Sequence, residues 1–439
     1  MKASAPNFSD PRLAAVWQEW QKAPLGQALD KWLKYQLPKL HLRYEDQKTE
    51  RGSLALALIE ALRFQQLAMA LEHAFATGTE VDWFQWDAQW RPALLAAFSP
   101  ELLWGWVSLR VSGKLPAGRQ YQQAEWAGRR DLFASLAPGA AEGPLEYLWH
   151  GLRPGWQPLL AARAQASGWQ AKDVSAFIRA QIQTPPLWLR VQPELPISAA
   201  CAQLLADEVN AKIVANELCA IGGRGVQGSG LYKRGLIEIQ DLASQRIALA
   251  VGVAPGQKVW DACAGAGGKS LAIAAGMGNK GSLYATDLHE HKLKELKRRA
   301  KRANVTNIRS FTWNAERPLQ LPKEVAQQQG FDWVLVDAPC TSTGTWRRNP
   351  DARWRFNDED TQELVAIQKS ILRMAVPAVR EGGHLVYATC SWDVRENEQQ
   401  VAEFLASHPG FRLISQTLLG CPAENSDTMF AAVLKRPVS

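Results

Sequence analysis

The chain has 439 residues, and 50 Lys and Arg against 43 Asp and Glu leave a formal net charge of +7. At 46% hydrophobic and 21% charged it has ordinary globular composition and enough length for two or three domains. Six cysteines without a C-x-x-C and seven scattered histidines, of which only His289 and His291 are close, argue against a disulfide scaffold, a zinc ribbon or any metal centre. An apolar run of bilayer length and a signal-peptide pattern are both missing, so the predicted compartment is a reducing cytoplasm, with no membrane partner.

Residues 1 to about 135 read as helical. In "SLALALIEALRFQQLAMALEHAF" Leu54, Leu58 and Leu62 recur at four-residue spacing, and Ser53 is placed as an N-cap. "LAPGAAEGP" and "LRPGW" mark a linker zone between 136 and 156. A small α+β module follows: "PPLWLRVQ" reads as a strand, "SAACAQLLADEVNA" as a helix, "KIVANELCAI" as one further strand and "GGRGVQGSG" as a flexible turn. From Gln257 onward strands alternate with helices. "KVWDAC", "SLYATD", "IRSFTW", "DWVLVDAP" and "HLVYATC" read as parallel strands of a doubly wound α/β sheet, and "FRLIS" and "TMFAAVLK" complete seven. The predicted domains are 1–145, 146–235 and 236–439.

"DACAGAGGKS" follows the first of these strands and opens a helix. A P-loop needs glycine where Cys263 stands, and a dinucleotide fingerprint needs glycine where Ser270 stands. D-x-x-x-G-x-G remains, the loop of S-adenosylmethionine enzymes, with Asp287 placed after the next strand to take the ribose hydroxyls. In "HEHKLKELKRRAKRA" seven Lys and Arg face two Glu. At helical spacing Lys294, Lys297, Arg298, Lys301 and Arg302 share a face, which suits nucleic acid and a solvated surface equally well.

Two cysteines end strands: Cys340 after Ala338-Pro339, and Cys390 in "HLVYATCS". Both fall on the carboxyl edge of one sheet, where open α/β folds bind ligands. A thiolate there can add to carbon 6 of cytosine and make carbon 5 nucleophilic toward a methyl sulfonium, after which a base removes the carbon 5 proton and the thiolate leaves. Asp337, three residues before Cys340, suits hydrogen bonding to the pyrimidine N3.

"DACAGAGGKS", "DAPCTSTGTWRRNPDARW" and "YATCSWDVRENEQQV", with "GLIEIQDLASQ" and the terminal "DTMFAAVLKR", resemble the ordered blocks of the NOP/Sun family of RNA cytosine-5 methyltransferases over roughly residues 145–439. The resemblance implies a multidomain protein. A class I methyltransferase α/β domain would be preceded by an RRM-like module and an all-helical, NusB-like RNA-binding domain. It implies Cys390 as nucleophile, Cys340 for product release and Asp337 for cytosine activation. The cofactor contacts would be Cys263, Ala264, Gly265, Ala266, Gly267, Gly268, Lys269, Asp287, Asn314 and Asp337. The implied partner is RNA, first small-subunit rRNA or an assembly intermediate and second tRNA, bound by a monomer. Two other classes stay open: a silent RNA-binding or assembly protein, which needs neither thiol, and a DNA methyltransferase, which does not need Cys390.

Four departures from the family pattern stand out. Gly265 and Ala266 occupy the usual Ala-Pro positions of the loop; Thr341 and Ser342 replace Ser-Gly after Cys340; Asn314 replaces an acid after the third strand; and "LRVQ" replaces "LRVN". Arg347 and Arg348, just past the Cys340 loop, are candidates for holding target phosphates, the alternative being that one pairs with Asp351. Glu396 is expected to brace the Cys390 loop or simply to sit in a helix's first turn.

Overall fold

A computed structural model describes residues 5–438 apart from 25, 41, 44–46, 79 and 224. The chain divides into two compact units, one of Ala3–Thr184 with Trp346–Arg355 and one of Pro185–Thr345 with Phe356–Ser439. The break falls at 184/185, past the expected 136–156 linker zone, because helices Gly143–Trp149, Gln157–Ser167 and Ala171–Ala180 continue the helical unit.

The helical unit is organised by one long helix, Gln47–Thr77. Leu54, Leu58, Ala61 and Leu62 are buried along it, and it packs on helix Pro100–Ser112, which Ser99 caps by accepting the Glu101 N–H (3.2 Å). The helix starts six residues before Ser53. That serine is therefore no N-cap; it accepts the Asn7 N–H (2.9 Å) and donates to the Ala5 carbonyl (3.0 Å), tying down the chain's start. Contrary to the sequence expectation, Thr49–Thr77 is apolar and long enough to cross a bilayer, but 72% of its apolar window is buried, as befits a core helix.

In the other unit β1 (Leu187–Val191), β2 (Val209–Val214), β3 (Glu217–Gly223) and β4 (Ile237–Ile239) form a four-stranded sheet in the order β2-β3-β1-β4. All its neighbours are antiparallel. Helix Ile197–Ala206 lies between β1 and β2 in sequence, and a short helix, Gly230–Lys233, precedes β4. The expected single strand "KIVANELCAI" is instead a hairpin, turned at Ala215 and Asn216 with φ of 48° and 65°. One face of this sheet packs on its own helix through Leu189, Leu204 and Leu218. The other face is also covered: Trp188, Cys219 and Leu242 pack together, and the Trp188 indole donates to the Asn425 carbonyl (2.9 Å).

The large sheet contains β5 (Lys258–Asp261), β6 (Ser282–Asp287), β7 (Ile308–Thr312), β8 (Phe331–Asp337), β9 (Val379–Thr389), β10 (Arg412–Leu419) and β11 (Met429–Lys435). Their order is β10-β11-β9-β8-β5-β6-β7. The first five are parallel, and β11 joins β9 antiparallel. Val334, Leu335, Val336, Leu385 and Val386 are fully buried, as central parallel strands require. Strand order reverses between β5 and β8, so the crevice at this switch point opens at the carboxyl ends of β5, β6, β8 and β9.

Candidate active site

Each of those strand ends delivers a polar side chain. β5 ends in Asp261, β6 in Asp287 and β8 in Asp337, and Cys390 directly follows β9. Asp261 is buried and accepts a hydrogen bond from Ser270 Oγ (2.6 Å); burial raises its pKa to about 7. Asp287 takes the Gly265 N–H on one oxygen (3.0 Å) and the His289 N–H on the other (2.8 Å), so it shapes the glycine loop as well as facing its mouth.

The loop itself turns through Gly265 (φ 54°) and Gly267 (φ 84°) before helix Gly268–Gly276. A Cβ on Gly267 would stand 2.5 Å from Leu296, whereas one on Gly265 would meet no atom within 4 Å, so the cradle is open on that side. Arg299 holds the loop from behind, donating to the Ala266 carbonyl (2.9 Å) and to Glu238 on β4 (3.0 Å). Cys263 packs against the core cluster of the large sheet, and burial pushes its pKa up. Lys269 Nζ meets Asp337 Oδ2 at 2.7 Å; burial opposes its charge, but the Asp337 carboxylate outweighs that and raises the lysine pKa. Asn314 is exposed beyond β7, and its side-chain oxygen accepts the Glu316 N–H (3.2 Å), so part of its acceptor capacity goes to its own turn.

The two cysteines that sequence placed at strand ends come together, with Cys340 Sγ 3.3 Å from Cys390 Sγ. They are not equivalent. The hydrogen bond between the thiols, assisted by Ser342 and opposed by burial, lowers the pKa of Cys390; the same bond and burial push Cys340 well above the ordinary thiol range. The shared hydrogen bond therefore favours the proton on Cys340 and the thiolate form on Cys390.

Glu396, expected to brace the Cys390 loop, and residues without a chemical signature in sequence complete the site. Buried Glu396 accepts from the Thr341 N–H (2.9 Å), Thr341 Oγ1 (2.5 Å) and Gln368 Nε2 (3.0 Å). It thus braces the Cys340 loop from the segment that follows Cys390. Gln368 also donates to the Pro339 carbonyl (3.0 Å), and the Gly344 N–H donates to the Cys390 carbonyl (3.0 Å), so the two cysteine loops are laced together. Only the local polarity of "QELVAIQKS" hints at Gln368, because its role depends on which helix face meets the sheet.

Of the two arginines beyond the Cys340 loop, Arg347 departs from the expectation. Arg347 is buried, and its Nε donates to the carbonyls of Ala180 (3.0 Å) and Gln183 (2.9 Å), so it shapes the helical unit instead of facing phosphates. Asp351 accepts from Arg355 (2.9 Å) and from the Leu29 N–H (3.3 Å), and Arg348 is half-buried. On the basic helix, Lys294 pairs with Glu290, Arg298 with Glu295, and Arg302 with Glu238 while stacking on Tyr232, so much of the expected cationic face is already neutralised.

Comparisons with known proteins point to the same fold class. Residues 248–434 match the family described as 16S rRNA methyltransferase RsmB/F. A probable ribosomal RNA small subunit methyltransferase B of Bacillus subtilis (strain 168) is 36% identical over 261 residues, 59% of this chain and 57% of that protein. The ribosomal RNA small subunit methyltransferase B of Yersinia pestis bv. Antiqua (strain Angola) is 30% identical over 281 residues, 63% of each chain. The chain therefore spans less than two thirds of the length of either relative. Among solved structures, PH0851 superposes with a TM-score of 0.68 over 98% of this chain and 99% of its own at 22% identity. NSun6 from Pyrococcus horikoshii superposes with a TM-score of 0.54 over 64% of this chain and 98% of its own at 15% identity, and both show the fold. The open glycine cradle, the Asp287 carboxylate beside it and the helix N-terminus behind it fit S-adenosylmethionine, the cofactor of this methyltransferase fold. Residues 248–434 thus carry the chain's likeness to the RsmB/F methyltransferase family.

Proposed function

We propose that the protein methylates carbon 5 of a cytosine in RNA, with small-subunit rRNA as the substrate and the cytoplasm as the place of action. The observation that carries this reading is the asymmetric thiol pair, Cys340 and Cys390 at 3.3 Å on the ends of adjacent parallel strands. A protein that only bound RNA would need neither thiol.

S-adenosylmethionine supplies an electrophilic methyl group when bound. The protein's own residues make the cytosine able to accept it. The Cys390 thiolate adds to carbon 6, and the electron pair pushed toward carbon 5 makes that carbon the nucleophile. Asp337, oriented by Lys269, supplies the proton that the cytosine's N3 takes up as the thiolate adds, and accepts a hydrogen bond from the resulting N3–H. After methyl transfer a base must take the carbon 5 proton, whereupon the carbon–sulfur bond breaks and the Cys390 thiolate is restored. Cys340 lies beside that sulfur and serves this elimination. The target base must be unpaired or flipped to bring carbon 6 to Cys390.

Covalent trapping tests the assignment. With S-adenosylmethionine and small-subunit rRNA, Cys340→Ala should accumulate a denaturant-stable protein–RNA adduct, and Cys390→Ala should form none. Trapping by Cys390→Ala alone would reverse the roles. Absence of both adduct and methyl transfer on rRNA and tRNA would leave an RNA-binding or assembly protein.

A further inference from the structure

Ser342 stands where the family pattern has glycine, and its backbone explains the glycine: φ is 57°, in the left-handed region that disfavours a residue with a Cβ. The turn is nonetheless held, because the Ser342 carbonyl accepts from the Thr345 N–H (3.0 Å) and from Thr345 Oγ1 (2.9 Å). A strained residue beside a reacting atom invites a functional account. That atom is close: Ser342 Oγ lies 3.4 Å from Cys390 Sγ and 3.4 Å from the Cys340 carbonyl.

We propose that Ser342 is a hydrogen-bonding partner of the nucleophile, its hydroxyl donating to the Cys390 sulfur in the thiolate form and turning to the Cys340 carbonyl when that sulfur is bonded to the base. This rests on the reading above only in naming Cys390 the nucleophile. A glycine at this place would relax the backbone but leave the thiolate one donor short. The other titratable or charged groups that face Cys390 are Cys340 and Asp337, from β8 and its loop, and Lys269, from the helix after the glycine loop. The serine hydroxyl joins the Cys340 thiol as an uncharged donor, so it assists the thiolate without drawing Asp337 away from Lys269.

The test is peptide-resolved alkylation of Cys390 by iodoacetamide across pH in the full chain without RNA, for wild type, Ser342→Gly and Ser342→Ala. Both variants should move the alkylation midpoint to higher pH and slow the rate at pH 7 by about 3- to 10-fold, the scale of one lost ordinary hydrogen bond, since sulfur is a weak acceptor. Their thermal stabilities should diverge, with Ser342→Gly rising because the left-handed strain is relieved and Ser342→Ala not rising. Unchanged midpoints in both variants would overturn the proposal and leave Ser342 a tolerated turn residue. A shift confined to one variant would also overturn it, since it would report the backbone and not the hydroxyl. Alkylation needs no methyl transfer, so a shifted midpoint in a protein that methylates no RNA would sink the functional reading and leave this contact standing.

Discussion

Asp261 carries a carboxyl where no solvent reaches it, and its pKa of about 7 makes the fold sensitive to pH near neutrality. An unfolded aspartate gives up its proton near 3.8 while the folded one keeps it to about 7, so across this window the native state binds more protons. Stability therefore falls as pH rises from about 4 toward 7 and is flat above the folded value. Asp261→Asn removes this dependence and retains an acceptor for Ser270. Its thermal unfolding, measured without cofactor, should gain on wild type between pH 5 and pH 8 by on the order of 1–3 kcal/mol. Equal shifts at both pH values would show that Asp261 is already ionised in the fold. Residues whose chemistry is intrinsic were legible in sequence: two thiols and three acids at strand ends needed only the alternation of apolar runs to be placed. Ser342, Gln368 and Thr341 were not legible, because a hydroxyl or amide acquires its role only from what stands opposite, and the left-handed turn at Ser342 appears only in the folded backbone.

At the scale of elements, the helix Glu290–Arg302 reads in sequence as a basic surface, yet it works as a clamp. Arg299 joins the glycine loop to β4, and Arg302 joins the same Glu238 from one turn farther along. This external hold matters where Gly265 and Ala266 replace the stiffer Ala-Pro of the family pattern. Arg299→Met should weaken S-adenosylmethionine binding about 10- to 100-fold, the scale of one hydrogen bond from a charged donor. The unfolding midpoint should hardly change, since Arg302 still neutralises Glu238; calorimetric titration with the cofactor reads the loss, and an unchanged Kd would show that the loop holds itself. The strands of the large sheet were legible because buried parallel strands are continuous apolar runs. The β2–β3 hairpin was not, because its turn is made by Ala215 and Asn216 and lacks the glycine that ordinarily announces one.

At the scale of the molecule, the chain leaves one compact unit at Thr184, returns at Trp346 and leaves again after Arg355. The returning segment is core material. Trp346 stacks near Trp156 with ring centroids 4.7 Å apart, the Trp354 indole donates to the Leu62 carbonyl (2.5 Å), and Arg353 is fully buried against the carbonyls of Gly151 (2.5 Å) and Gln181 (3.2 Å). Arg353→Met should cost the helical unit about 2–4 kcal/mol in urea unfolding, because it leaves three buried carbonyls, of Gly151, Gln181 and Trp346, without their arginine donor. A loss under 0.5 kcal/mol would mean that those carbonyls find another partner. No local pattern in "TWRRNPDARW" reveals this allegiance, since the partners lie far back along the chain.

That segment has a genetic consequence. The amino-terminal helices are not a cassette: an exchange that imported another protein's first 184 residues would also have to import the ten residues Trp346–Arg355, encoded inside the methyltransferase domain and only a few codons from Cys340. Fusion, truncation and recombination at the obvious boundary all separate pieces that fold together, so the two halves of such a gene should be inherited as one.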